Sequence, residues 1–387
     1  MKSNTTDITD RPTSHFIMIR MIFSMFIIAL KKYRSPLQAF KVLKQLNLRK
    51  KTIQGITGVP KLFKNGKRYF YELNQPGWPS LAFNRFFENE MNKTIPFDTT
   101  GHRLQNVVFA ITKRCALKCR HCFEWDRLDT EEKLKFEDLQ LILSQVQQLG
   151  ASVIQISGGE PLERFEDACK LATQALNETD LWLLTSGFGL TFRKAAILKK
   201  SGYSGINVSV DHWNEDLHNK FRGNNESFTW AIKAAENADQ AGLVLALSLC
   251  ATREFTTKEN LFEYLDLASK LNACFIQILE PRSIGRFSAV DVKLSSSQHK
   301  IIKEFYHEVN NKKRYRHLPT IIYHGSYQRT HGCLGAANRY FYSDSEGNVH
   351  ACPFCQDSPG NILETPLENL LDQLEKSGCH LFKSYAD

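Results

Sequence analysis

The spacing of hydrophobic positions divides this 387-residue chain into two differently built stretches. Residues 16 to 30 read FIMIRMIFSMFIIAL, an apolar run broken only by Arg20 and Ser24. At 100° per residue, Arg20, Ser24 and Lys31 lie within about 40° of each other, so the spacing predicts an apolar helix with one narrow polar stripe, a geometry suited to an interface. Fifteen residues including an arginine are short for a membrane span, which needs about 20 apolar residues. No small-residue cleavage site precedes Lys31-Lys32 to mark a signal peptide. The polar start, Lys2 to Thr13, reads as a frayed end. Ser35-Pro36 then supplies a cap and first-turn proline for a second helix, with Ala39, Val42, Leu43 and Leu46 on one side and Lys41, Lys44 and Gln45 on another. Between Lys61 and Tyr71, Asn65-Gly66 sits between β-prone flanks and predicts a hairpin.

From Gln105 the pattern changes to apolar, β-branched runs alternating with helical sequence. Residues 107–112, 153–157, 181–186, 206–211, 243–249 and 274–279 read as strands, with helices near 136–149 and 164–177 among those between them. Six such strands predict a parallel sheet covered by helices, an α/β barrel with its function at the C-terminal strand ends. A last segment, from about residue 318 to 387, ends in a helix predicted over Pro366 to Ser377.

Charge sharpens the division. The net +9 is concentrated in residues 1 to 100, which hold 17 Lys and Arg against 6 Asp and Glu, leaving 33 against 35 beyond. Between Lys31 and Arg68 there are 12 basic residues and no acidic one, a field that attracts phosphate-bearing partners, whether lipid headgroups or nucleic acid. Seven of the ten cysteines fall into two groups with metal-like spacing, which argues against a secreted disulfide framework and for a reducing, cytoplasmic setting.

The first group is Cys115-Ala-Leu-Lys-Cys119-Arg-His-Cys122, directly after the first strand. Soft thiolates suit iron–sulfur clusters or zinc, and three ligands where four would close a site leave one metal position for chemistry. Ser157-Gly158-Gly159-Glu160-Pro161 ends the second strand, where two glycines permit close backbone approach and a carboxylate can accept from an ammonium group. The second group is Cys333, Cys352, Cys355 and Cys379, with Gly347 five residues before Cys352. Four thiolates at such spacing would also satisfy a zinc ribbon.

The Cys-x3-Cys-x2-Cys run and the strands around it resemble the radical S-adenosylmethionine enzymes. The resemblance implies an α/β fold with a partial (β/α)6 TIM-like barrel. It implies a [4Fe-4S] cluster on Cys115, Cys119 and Cys122 whose open iron binds S-adenosylmethionine, which is reductively cleaved to a 5′-deoxyadenosyl radical that abstracts hydrogen from substrate. Carried over residue by residue, it places His121 near the adenine, where an aromatic residue is usual, and Gly158, Gly159 and Glu160 at the methionine amino group. Thr185, Ser186, Ser209 and Asp211 then face the ribose and carboxylate, while Asp211, His218 and Arg222 also read as a salt-bridged loop. Cys333 and Cys352 resemble the start of SPASM and twitch extensions, which implies an auxiliary iron–sulfur cluster completed by Cys355 and Cys379. The denser cysteine run of a full SPASM domain is missing, so a shortened, twitch-like domain fits better.

The expected organisation is an interfacial helix over 1–34, a small basic α+β module over 35–104, the barrel over 105–317 and the auxiliary cluster domain over 318–387. Cys250 and Glu280, ending the fifth and sixth strands, are candidate catalytic groups, and Tyr327-Gln328-Arg329 a candidate cavity wall. The expected partners are a flavodoxin- or ferredoxin-like reductant and a small-molecule, lipid or peptide substrate. An interfacial helix beside a basic segment adds an anionic membrane surface, placing the protein in the cytoplasm and peripherally on the inner face of the membrane. RNA modification and a non-catalytic iron–sulfur carrier or sensor are the competing readings. The Met- and Phe-rich helix has no use in RNA binding, and a carrier has no need of Gly158-Gly159-Glu160.

Overall fold

The computed structural model describes residues 6–54, 59–98, 104–333, 335, 339–379 and 382. Of the start expected to fray, residues 2–5 lie outside the described residues, as do residues 383–387 of the C-terminal segment. The rest of that start is ordered: strand β1 (Asp7–Ile8) pairs antiparallel with β2 (Phe63–Asn65), which forms the expected hairpin with β3 (Arg68–Phe70). Gly66 turns this hairpin at φ +59°, a left-handed conformation favouring glycine.

Helix α1 spans Arg11–Tyr33, longer than its apolar run. Asp10 caps it by accepting from the Thr13 amide at 2.8 Å, and Pro12 sits in the first turn, so the polar residues before Phe16 are helical too. By length and composition alone it is long and apolar enough to cross a membrane. Its inner face is nevertheless spent on protein, with Ile17, Met21 and Ala29 packed on α2 (Pro36–Gln54) and α3 (Leu81–Thr94) through Ala39, Val42, Phe83 and Phe87.

The main sheet has nine strands in the order β10-β9-β8-β7-β6-β5-β4-β11-β12. Its body, β4 (Asn106–Ala110), β5 (Val153–Ser157), β6 (Asp180–Thr185), β7 (Tyr203–Ser209), β8 (Val244–Cys250) and β9 (Phe275–Leu279), is parallel throughout. Crossovers through α4 (Phe136–Gln148), α5 (Phe165–Gln174), α6 (Phe192–Ser201), α7 (Glu215–Arg222), α8 (Ser227–Gln240) and α9 (Lys258–Lys270) cover the outer face, so alternate strand positions such as Phe109, Ile156, Leu183, Val208, Leu247 and Ile276 join one continuous core. The intervening positions face the lumen and form layers. Trp182, Val244 and Phe275 sit at its N-terminal end, and the polar Gln155, Asn207 and Gln277 lie above them, with Asn207 donating to Gln277 at 2.9 Å.

Two expectations about boundaries change. The N-terminal module is not separate: Phe63, Phe70 and Leu73 plug the lumen against Val153, Trp182 and Phe275, and Arg68 pairs with Asp180. Nor does the chain leave the barrel at 318. After α10 (Ser296–Asn311), β10 (Thr320–Ile322) extends one edge of the sheet in parallel with β9. The chain then passes α11 (Gly325–His331) to the opposite edge, where β11 (Tyr340–Ser343) runs parallel to β4 and pairs antiparallel with β12 (Val349–His350), before α12 (Leu367–Ser377). The barrel is therefore partial, and the segment carrying Cys333 crosses its open seam.

Candidate active site

The loop after β4 has little regular structure, and its position comes from backbone hydrogen bonds on three sides. The amides of Gly159 and Glu160 donate to Thr112 and Arg114 carbonyls at 2.8 and 2.7 Å, the Arg120 amide to Phe221 at 3.0 Å, and the Arg286 amide to Cys122 at 3.0 Å. This places Cys115, Cys119 and Cys122 together in a half-buried to buried pocket. Burial, with the neighbouring sulfurs adding to it, pushes the Cys115 and Cys122 thiols up to about 12. Three such thiols become thiolates together only on a soft metal centre, so the donor set fits an iron–sulfur cluster. Among the described residues no group of three or more His, Cys, Asp or Glu side chains is arranged to hold a single metal ion.

The glycines before Glu160 serve the protein itself. A Cβ at Gly159 would collide with the Arg114 carbonyl, and one at Gly158, where φ is +150°, would meet the Thr112 carbonyl at 2.7 Å. Their freedom thus presses the end of β5 onto the cysteine loop. Glu160 is then buried at the strand ends, and its carboxylate gathers the next strand: Thr185 Oγ1 donates to Oε1 at 2.7 Å, and the Ser186 amide and hydroxyl donate to Oε2 at 2.8 and 2.5 Å. Burial raises this carboxylate's pKa, with the Ser186 and Thr185 bonds opposing. Glu160, Thr185 and Ser186, read separately in the sequence, form one unit.

Asp211 lies on the other side of the loop. Its Oδ2 is 2.5 Å from Arg222 Nε, its Oδ1 accepts from the Cys250 amide at 2.8 Å, and its own amide donates to His218 Nδ1 at 3.1 Å. Burial alone would raise its pKa, but Arg222, His121 and His218 more than offset this and lower it. Arg222 Nη1 in turn donates to Cys119 Sγ at 3.6 Å. The salt-bridged loop is therefore real, and it ends on a cysteine. His121 stacks on Phe221 at 4.7 Å with its Nδ1 buried and without a partner among the described residues, an orphaned polar atom on the cysteine loop that fits an adenine-bearing group. Ser209 ends β7 at 3.5 Å from Ser248, facing the lumen.

The two candidate catalytic groups part company. Cys250 is buried beside Asp211 and opens onto a cavity of about 430 Å³ that Arg120 and Phe221 also line. Glu280 lines a different chamber, of about 450 Å³, which runs from the lumen layer of Gln155 and Gln277 across the open seam to Cys333, Cys352 and Cys379. There Glu280 accepts from Tyr323 Oη at 2.6 Å and pairs with Arg329. Tyr327 and Gln328 line the chamber as expected, whereas Arg329 is spent on Glu280.

The second cysteine group is assembled from three segments. Cys352 Sγ and Cys355 Sγ lie 3.4 Å apart, Cys379 is hydrogen-bonded with Cys355, and Cys333 lies near Tyr340 on the chamber wall. Nothing local in the chain marks the aromatic seam joining the two groups, in which Phe123, next to Cys122, meets Phe354 of the Cys352-Pro353-Phe354-Cys355 knuckle at 6.3 Å. Asn74 was equally hidden. From the N-terminal module it accepts from Asn106 and Gln155 at 3.1 Å and contacts His324 Nε2 at 3.1 Å, stitching the chamber wall, and no local motif marks such a residue.

Residues 109–259 match the family model described as the Radical SAM superfamily. The chain is 27% identical over 269 residues to the mycofactocin maturase MftC of Mycolicibacterium smegmatis, covering 66% of this chain and 67% of that protein. It is 23% identical to the AdoMet-dependent heme synthase of Methanosarcina barkeri, covering 70% of this chain and 82% of that one. Among solved structures it resembles Streptococcus suis SuiB bound to precursor peptide SuiA, with a TM-score of 0.58 at 17% identity over 90% of this chain and 80% of that one. It also resembles anSMEcpe with bound AdoMet and Cp18Cys peptide, with a TM-score of 0.53 at 19% identity over 70% and 80%.

Proposed function

We propose that this chain, whose residues 109–259 match the Radical SAM superfamily model, is an enzyme of that kind that removes hydrogen from a substrate held in the 450 Å³ chamber. A [4Fe-4S] cluster and S-adenosylmethionine, when bound, supply a 5′-deoxyadenosyl radical. In this reading Cys115, Cys119 and Cys122 hold the cluster, and Arg222 orients Cys119 through its 3.6 Å contact. Glu160 takes the cofactor's ammonium group as the Ser186 hydroxyl swings aside, since both its oxygens already accept protein donors. His121 offers its free imidazole nitrogen to the adenine, and Thr185, Ser186 and Ser209 line the remainder. Asp211 positions Arg222 rather than the cofactor, because its carboxylate is fully engaged by Arg222 and Cys250.

Cys333, Cys352, Cys355 and Cys379 hold an auxiliary iron–sulfur cluster at the far wall of the same chamber. A flavodoxin- or ferredoxin-like protein supplies electrons. The substrate is a peptide side chain, the class supported by the peptide-bound forms of SuiB and anSMEcpe. A membrane-held lipid is the second reading, favoured by Met25 and Leu46 of the two N-terminal helices, which also line the chamber. The observation that carries the proposal is the backbone docking of Gly158-Gly159-Glu160 onto the loop of three buried thiols. Metabolite, peptide and lipid profiles of cells with and without an intact Cys119 test the substrate: a modified peptide lost with Cys119 is expected, and an unchanged peptide pool beside an altered lipid would replace the first reading by the second.

A further inference from the structure

A helix that packs one face on a protein core normally turns charge to solvent on the other, and α1 does not. Opposite its buried Ile17, Met21 and Ala29, its outer face presents Phe16, Ile19, Ile22 and Phe23, which are 52 to 67% exposed, with Arg20 the main polar interruption. The outer face of α2 continues this surface with Leu37, Phe40 and Leu48, between 55 and 79% exposed. These alternate with exposed Lys41, Lys44 and Lys51, while Lys31, in the last turn of α1, and Arg34, just after it, are exposed as well. Residues 11 to 54 carry ten Lys and Arg and no Asp or Glu.

We propose that this outer face of α1 and α2 docks on an anionic phospholipid bilayer. Large apolar side chains interleaved with lysines on one exposed face match an acyl and headgroup boundary, where the lysine stems lie along apolar surface and the ammonium groups reach phosphate. A second copy of the chain would set the exposed Arg20, Lys31, Arg34, Lys41, Lys44 and Lys51 against the same six cations, with no acidic residue between positions 11 and 54 to offset them, and electrostatics disfavours that occupant. Spanning is disfavoured by what it would dismantle: Tyr33 Oη donates to the Ile95 carbonyl at 2.5 Å, Lys32 pairs with Glu88 at 3.0 Å, and the inner face of α1 is core. The same helices turn Met25 and Leu46 into the chamber, so docking brings that chamber to the membrane.

The test is co-sedimentation of the full chain with phosphatidylcholine vesicles made with and without phosphatidylglycerol. Binding is expected only with phosphatidylglycerol, weakened by salt and reduced about tenfold or more by Phe23→Glu with Phe40→Glu and by Lys41→Glu with Lys44→Glu. Formation of 5′-deoxyadenosine and the melting temperature should not change in these variants, because all four side chains are exposed and outside the site. The proposal is overturned by equal binding to both vesicles, by binding to neither together with a dimer that Phe23→Glu dissolves, or by carbonate-resistant membrane insertion.

Discussion

The two cysteine groups solve one chemical problem in opposite ways. Cys115, Cys119 and Cys122 come from eight consecutive residues, and their loop is fixed by main-chain bonds from β5, from the end of α7 and from Arg286. Cys333, Cys352, Cys355 and Cys379 span 47 residues and meet only because the sheet leaves a seam open between its edge strands β10 and β12. The first group is therefore a property of sequence and the second a property of topology. The difference also separates their surroundings: the first lies beside Glu160 at the strand ends, and Cys333, Cys352 and Cys379 of the second line the 450 Å³ chamber.

Single substitutions in each group should break that comparison most sharply. Cys115→Ala should abolish 5′-deoxyadenosine formation, whereas Cys352→Ala should keep it while losing product and the iron and sulfide of one cluster, measured on anaerobic protein. Equal loss in both variants would mean that the two groups act as one. Glu160→Gln removes a charge-assisted partner, and its KM for S-adenosylmethionine should rise about 10- to 100-fold. Arg222→Lys keeps the charge beside Asp211 but cannot reach Asp211 and Cys119 together. Iron loss to a chelator should speed up by about tenfold or more, with the change visible in the electron paramagnetic resonance of the reduced protein.

The smallest effect lies at the root of the auxiliary segment. Lys61 donates to the Leu318 and Pro319 carbonyls at 3.0 and 2.9 Å, and burial, aided by Arg316, lowers its pKa from 10.5 to about 7. Between those values the unfolded chain holds the extra proton, so stability rises with pH across this window. Lys61→Met should flatten that rise in chemical denaturation, and an unchanged slope would locate the titration elsewhere.

The sequence made legible whatever is local. Strand positions near 107–112 and 153–157 fall on β4 and β5, because parallel strands buried on both faces leave continuous apolar runs. The cysteine loop and Gly158-Gly159-Glu160 stood out for the same reason, although the glycines serve loop docking. The rest depended on contacts far apart in sequence. The separation of Cys250 from Glu280 follows from which cavity each strand end faces, and two adjacent strand ends look alike in one dimension. The three-residue β10 and the two-residue β12 are too short to carry a period. Asn74 earns its place through the three polar groups around it, and Arg222 through Cys119.

The central claim is that the Cys115, Cys119 and Cys122 loop builds a cluster that opens S-adenosylmethionine. Anaerobically reconstituted, dithionite-reduced protein incubated with S-adenosylmethionine tests it by chromatography of 5′-deoxyadenosine. 5′-Deoxyadenosine is expected from the intact chain and none from Cys119→Ala. Its absence from the fully iron-loaded intact chain, or its persistence in Cys119→Ala, would rule out cofactor cleavage at this loop.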